Sequence, residues 1–111
     1  MERPAQPSRV VMRRLITIAV NIVRAHPREW MSINEFRIAW VVRTSAPFSP
    51  ARAGVYTLLE FLLRLHDVGL LIVEVEPDDY VRMRHNPINA DLFPPLTDEQ
   101  WRAGEQVGDE A

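Results

Sequence analysis

The chain has 111 residues, 47% of them hydrophobic, which suits one domain with a single core and leaves too little material for a second domain. Cysteine is absent, which excludes disulfides and thiolate metal sites and favours a reducing compartment. The formal net charge of -2 is unevenly divided: residues 1–87 hold 12 arginines and 9 acidic residues, a net of +3, whereas residues 88–111 hold one arginine and 6 acidic residues, a net of -5. No apolar run approaches the roughly 20 residues of a membrane span, so we expect a soluble, cytoplasmic protein.

Helix 1 is the first regular element that the sequence predicts, after a flexible arm at residues 1–7. Ser8 is a typical N-cap, and the helix runs over residues 9–25, where Pro27 stops it. Helical spacing places one apolar series on a single face: Val11, Leu15, Ile18 and Ile22. Further apolar residues widen this stripe beyond what one small core needs, so we predict a homodimer through helix 1.

Two more helices follow a short extended link at residues 28–31, which has room for a brief strand. Ser32 and Glu35 have the S-x-x-E spacing of a capping box, which begins helix 2. Ser49 followed by Pro50 is a strong pair for an N-cap and first turn, so helix 3 is predicted to begin there.

The apolar period changes from helical spacing to alternation after Gly69, the residue type that usually ends a helix. Alternating residues on both sides of a turn at residues 77–79 predict a β-hairpin. The predicted domain therefore covers residues 8–87. An acidic tail follows at residues 88–111, with a short helix at residues 97–103.

The element order over residues 9–86 resembles the winged-helix form of the helix-turn-helix fold. The segment LLRLHDVGLLI at residues 62–72 is similar to the junction between the recognition helix and the wing in bacterial and archaeal regulators of the MarR and ArsR type. This resemblance implies a mainly α fold with three helices and a two-stranded wing. It also implies a transcriptional regulator that places helix 3 in the major groove of double-stranded DNA. The alternative is a winged-helix module that binds other proteins in a replication, transcription or viral assembly.

The resemblance assigns DNA contacts to the beginning of helix 3, at Ser49, Arg52, Tyr56 and Thr57. In this interpretation Arg52 reads a guanine, Tyr56 contacts a phosphate or a thymine methyl, and Ser49 binds a phosphate. A purely structural interpretation is also open. In that interpretation Ser49 serves only as a helix cap, Tyr56 is half buried in the core, and Arg52 is a solvated surface residue.

The second wing strand offers two further candidate DNA contacts, Arg82 and Arg84, which share one face. Glu74 and Glu76 occupy the matching face of the first strand, so a cross-strand pair between Glu74 and Arg82 is the competing interpretation. The turn between the strands is acidic, which disfavours its approach to phosphate.

Catalysis finds no support in the sequence. The three histidines, His26, His66 and His85, lack the spacing of metal ligands. There is no glycine-rich phosphate loop and no nucleophile elbow. We therefore predict no enzymatic activity, no bound metal and no cofactor.

The acidic tail contains four apolar residues that are candidates for binding a protein partner: Leu92, Phe93, Leu96 and Trp101. Several interpretations of the tail are open. It docks on a partner, folds back over the body to cover its apolar face, competes with DNA for the basic surface, or is inert and disordered.

Overall fold

The structure is a computed structural model that describes residues 5–103, apart from the side chains of residues 89–91, 102 and 103. Its elements follow the chain in the order α1 (Arg9–Ala25), β1 (Met31–Ser32), α2 (Ile33–Thr44), α3 (Leu58–Asp67), β2 (Leu71–Val75), β3 (Val81–His85), a 3-10 helix (Pro87–Leu92) and α4 (Asp98–Ala103). The helices and the small antiparallel sheet surround one hydrophobic core. None of the described helices is both long enough and apolar enough to cross a membrane.

Local capping starts α1 and α2 where the sequence predicts. The hydroxyl of Ser8 accepts a hydrogen bond from the amide of Val11 at 3.2 Å. The predicted capping box is confirmed: the amide of Glu35 donates to Ser32 Oγ at 3.1 Å, and the amide of Ser32 donates to Glu35 Oε1 at 2.9 Å. The bond from the Ser32 amide stabilises the charged carboxylate and so lowers the pKa of Glu35.

The prediction that helix 3 begins at Ser49 is wrong, because this cap opens one isolated turn. The amide of Arg52 donates to Ser49 Oγ at 3.3 Å, as a helix start requires. The turn closes at Gly54, which adopts a left-handed φ of 71°. The amide of Val55 then donates to the carbonyl of Pro50 at 3.0 Å, which is the bond pattern of a helix end. Glycine at position 54 therefore terminates the helical turn soon after it begins.

A second cap, which was not predicted, begins α3. The amide of Glu60 donates to Thr57 Oγ1 at 3.0 Å, and the carboxylate of Glu60 accepts from the amide of Tyr56 at 2.9 Å. Thr57 and Glu60 have the T-x-x-E spacing of a helix start, so the signal was present in the sequence. The predicted C-terminal end is correct, since α3 ends at Asp67, just before Gly69.

Part of the predicted flexible arm contacts the turn before α3. Gln6 Nε2 donates to the carbonyl of Gly54 at 3.1 Å. A Cβ atom at Gly54 would lie 2.9 Å from Cδ of Pro7, so the close approach of the arm also requires glycine. Residues 1–4 of the predicted arm lie outside the described residues.

The predicted hairpin is present, but it belongs to a three-stranded antiparallel sheet rather than to a two-stranded wing. Its strand order is β1-β3-β2. Met31 pairs with Met83, and Leu71 pairs with His85. The third strand is only two residues long, which is too short for an alternating pattern to reveal its pairing in the sequence.

The core lies between α1, α2, α3 and the inner face of the sheet. Its largest fully buried side chains are Trp40, Phe36, Phe61, Leu15, Leu62, Leu71 and Met83. Phe48, on the loop between α2 and α3, packs edge-on against Trp40 with a 5.0 Å centroid separation and lies 4.9 Å from the ring of Phe61. These contacts anchor the loop to the core and fix α2 and α3 relative to each other.

Candidate functional site

The four residues predicted to contact DNA at helix 3 lie on the turn before α3 and at its N-cap. Ser49, Arg52, Tyr56 and Thr57 are exposed, so the structure places all four at the surface and close together along the chain. The hydroxyls of Ser49 and Thr57 already accept hydrogen bonds from the backbone amides of Arg52 and Glu60. The carboxylate of Glu60 occupies the amino-terminal end of α3, where a phosphate would otherwise interact favourably with free amides.

The outward side of α3 offers apolar side chains and one ion pair. Leu63 is exposed and Leu59 is partly buried. Arg64 Nη2 lies 3.0 Å from Glu60 Oε2, one helical turn earlier. Reading of bases in the major groove relies on donors and acceptors that reach the base edges. A helix surface formed by leucines and a paired arginine supplies few of these groups.

The guanidinium of Arg82 interacts with two carboxylates, that of Glu74 on the opposite strand β2 and that of Glu76 just after this strand. Its Nε and Nη2 atoms donate to Glu74 Oε1 at 3.0 and 2.6 Å, and Nε lies 3.5 Å from Glu76 Oε1. Glu74 and Arg82 are direct partners in the strand register, which confirms the cross-strand pair. The hydrogen bond to Glu74 raises the pKa of Arg82, so this side chain stays charged.

Arg84, the second arginine on this strand, is also paired. Its Nη1 atom donates to Glu29 Oε1 at 3.1 Å. The ring of Trp30 lies under both guanidinium groups, with its centroid 4.1 Å from Cζ of Arg82 and 5.3 Å from Cζ of Arg84. Glu29 and Trp30 were not predicted at this site. They reach it because β1 pairs with β3, which brings the link before β1 beside the hairpin.

The turn of the hairpin is acidic, as its sequence suggests. Asp78 and Asp79 are both exposed. Asp78 Oδ1 accepts from the amide of Tyr80 at 3.2 Å, and Asp79 adopts a left-handed φ of 64°. These carboxylates are therefore explained by turn geometry. They also place negative charge where a wing would approach phosphate.

A buried asparagine on α1 binds the chain that follows the 3-10 helix. Asn21 is 4% exposed. Its Oδ1 atom accepts from Arg24 Nη2 at 2.7 Å and from the amide of Leu96 at 3.3 Å, while its Nδ2 atom donates to the carbonyl of Pro94 at 3.4 Å. Arg24 Nη2 also donates to the carbonyl of Phe93 at 2.6 Å. This asparagine–arginine pair was not predicted, because its partners in the tail lie more than 65 residues away in the sequence.

Most of the predicted partner-binding tail residues pack on this chain's own helices. Phe93 is 7% exposed and belongs to the core. Leu96 and Trp101 pack partly buried against it, and the guanidinium of Arg43 lies 4.9 Å from the centroid of the Trp101 ring. Leu92 remains exposed. The predicted tail helix is confirmed as α4, begun by Thr97, whereas residues 104–111 lie outside the described residues.

The outward face of α2 is apolar, which the sequence-based prediction of this helix did not consider. Ile38, Val41 and Val42 are 65%, 44% and 73% exposed. Their spacing of three and four residues places them side by side on one face. Beside them, a groove of about 380 Å³ runs between α2 and the start of α3. Its lining residues are Arg37, Val41, Pro47, Phe48, Pro50, Thr57 and Leu58.

The remaining chemistry and the comparisons add no further site. Among residues 5–103, no three histidine or acidic side chains are grouped so that they could hold a metal ion. No protein-family model matches the chain, and neither the curated proteins nor the solved structures include a significant match. Any function must therefore be argued from the surfaces described above.

Proposed function

We propose that the domain is a winged helix. Three features support this proposal: α1, α2 and α3 precede a β-hairpin, β1 follows α1 directly, and β1 pairs with the second strand of the hairpin. The resulting strand order, β1-β3-β2, attaches the hairpin to the helical core along one edge. The loop between α2 and α3 covers residues 45–57 and is anchored to the core by Phe48, which fixes the two helices relative to each other.

We propose further that this winged helix binds another protein rather than reading DNA. The observation that carries the proposal is the pairing of both wing arginines. Arg82 and Arg84 interact with Glu74 and Glu29 and with the face of Trp30. A phosphate could replace these partners only if the arginines left their carboxylates, which would then face the DNA and repel it.

DNA binding as a regulator is the second candidate. It is favoured by the net charge of +3 over residues 1–87 and by two exposed arginines, Arg37 and Arg52, on the side of α2 and α3. In this proposal the contacts come from the region around the groove, and the wing does not participate.

A salt series with duplex DNA separates the two proposals. We expect a fluorescein-labelled random 20-base-pair duplex to show no saturable binding to the protein at about 50 mM salt, because the wing supplies no free cation. A DNA-binding protein would instead lose affinity steeply with salt, and each arginine that contacts phosphate would contribute roughly 0.9 to the slope of log affinity against log salt. A steep slope that falls in Arg52→Ala but not in Arg84→Ala would refute the protein-binding proposal and support the second candidate.

The homodimer through helix 1 stays a prediction, but the apolar stripe that motivated it is covered within one chain. Leu15, Ile18 and Ile22 of this stripe belong to the core, where α1 contacts α2 and β3, whereas the tail docks beside Asn21 on the polar side of α1. Of the α1 side chains, all of which are described, Val10 is the one large apolar group that remains exposed. We therefore expect sedimentation of a monomer at micromolar concentration, and a dimer that is lost in Val10→Glu would support the interface on α1 instead.

A further inference from the structure

The outward face of α2 exposes three neighbouring aliphatic side chains, those of Ile38, Val41 and Val42. Ile38 and Val42 expose more than half of their surface to solvent. Val41 lies between these two residues and the groove, and it forms part of the groove lining. Contiguous apolar surface of this kind marks an interaction site more often than scattered single residues do. The apolar character extends around α2, since Phe36 and Trp40 fill the opposite, buried face.

The groove beside this face is preformed. Phe48 is part of its lining, and the same ring packs against Trp40 and Phe61 in the core. The wall formed by Leu58 belongs to the first turn of α3, which the Thr57 cap fixes. A ligand that enters the groove therefore meets a surface held by the core, and its binding requires little ordering of the protein.

The charge around the groove indicates the chemistry of its occupant. Arg37 is the charged residue in the lining, and none of the lining residues is acidic. The Arg37 guanidinium donates to the side-chain oxygen of Asn34 at 3.4 Å, a neutral acceptor, and among the described residues no carboxylate pairs with it. A carboxylate on the occupant would supply the missing charge with a favourable geometry for a guanidinium. A second copy of the same face would instead bring Arg37 close to its own equivalent.

We propose that the α2 face and its groove bind an amphipathic helical segment of a partner protein. The segment carries apolar side chains at helical spacing, which pack on Ile38, Val42 and the groove, and a carboxylate that pairs with Arg37. The proposal rests on the protein-binding function proposed above and names its surface and the chemistry of its partner. A helical partner is favoured because the exposed aliphatics have the i, i+3, i+4 spacing of one helix face, which the apolar face of a second helix can pack against.

Two designed 16-residue peptides test the proposal. Both carry leucine at helical spacing on one face, and they differ only in the flanking charges, which are glutamate in one and lysine in the other. By fluorescence anisotropy at about 50 mM salt, we expect the glutamate peptide to bind at least roughly tenfold more tightly than the lysine peptide. Arg37→Glu should reverse this preference, whereas the control Arg9→Glu should preserve it.

The apolar part of the surface is tested by a matched pair of variants. Ile38→Ser combined with Val42→Ser should weaken binding of the glutamate peptide by about tenfold or more, since these contacts form the centre of the interface. Val68→Ser is the control, because Val68 is 68% exposed but lies at the C-terminal end of α3. All of these positions are exposed, so thermal melts should show that the variants remain folded.

Several results would overturn the proposal. Equal affinity for both peptides, or binding to neither, would exclude an acidic amphipathic partner at this face. If the duplex DNA also showed no salt-dependent binding, the proposed protein-binding function would remain, but the partner would bind another surface. Concentration-dependent dimerisation lost in Ile38→Ser would assign the face to a second copy. A gain in peptide affinity on truncation after residue 103 would assign it to the chain's own residues 104–111.

Discussion

Replacement of Asn21 by alanine is the sharpest test of how the tail is held. The side chain is almost fully buried and bonds to the carbonyl of Pro94 and the amide of Leu96. It also accepts from Arg24. Each such bond contributes roughly 0.5–1.5 kcal/mol net, and a buried group left without a partner costs about 1–3 kcal/mol. Water can reach part of the tail in the variant, so we expect a loss of about 2–3 kcal/mol in the free energy of unfolding.

The loss in the free energy of unfolding caused by Asn21→Ala has an upper limit. If the segment after the 3-10 helix detaches, the free energy lost cannot exceed the free energy with which that segment docks on the domain. Arg24 keeps its bond to the carbonyl of Phe93, so detachment should be partial. Hydrogen exchange should therefore become fast at the amides of Leu96 and Trp101, whereas core amides such as that of Leu62 still exchange only through global unfolding.

Urea unfolding measures the loss. With a slope of about 1–3 kcal/mol per molar urea, a change of 2 kcal/mol lowers the midpoint by roughly 1 M. Thr17→Ala is the matched control on the same helix, because the Thr17 hydroxyl makes only a local bond to the carbonyl of Arg13 in the described structure. We expect its effect to stay below about 0.5 kcal/mol. An Asn21→Ala variant as stable as Thr17→Ala, with unchanged exchange at Leu96, would refute the role assigned to Asn21.

Two further predictions concern the start of α3 and the pH dependence of stability. Thr57→Ala should lower the free energy of unfolding by about 1 kcal/mol, because it removes the N-cap of α3. Ser49→Ala should cost less, since Ser49 caps a single turn. Thermal or urea unfolding of both variants measures the order, and the reverse order would mean that the helix begins at Ser49. Burial, and secondarily the charge of Arg24, lowers the pKa of His85. Its neutral form is therefore favoured in the folded state, and stability should fall as pH decreases below about 6.5, the ordinary pKa, towards the lower folded value. His85→Gln should flatten this part of the pH profile, and an identical profile in the variant would contradict the prediction.

Local signals predicted much of the architecture. The capping residues Ser8, Ser32 and Thr97 begin helices in the structure as the sequence indicates. Alternation located both hairpin strands and gave the pair between Glu74 and Arg82 as one of two interpretations. These predictions depend on residues within a turn or across one hairpin, so short-range physics was sufficient to make them.

The start of α3 could not be located by the same means, because two valid helix-start signals lie close together. Ser49 with Pro50 and Thr57 with Glu60 both form their local bonds. Gly54 decides between them, because its left-handed φ closes the turn that Ser49 opens, and Gln6 and Pro7 of the arm pack against this glycine. The consequence for function is direct: the residues predicted to read DNA are displaced from the helix.

By itself, then, the sequence determined most of the helices and strands, apart from the start of α3, and it indicated which charges could meet across the hairpin. The tertiary structure decided which surfaces remain available. Pairing of β1 with β3 brings Glu29 and Trp30 to the wing arginines. The tail docks on the side of α1 that holds Asn21 and Arg24, while the outward face of α2 stays exposed. The physical reason is that burial and charge compensation depend on neighbours far apart in the chain, and helical periodicity alone does not say which face a neighbour will cover.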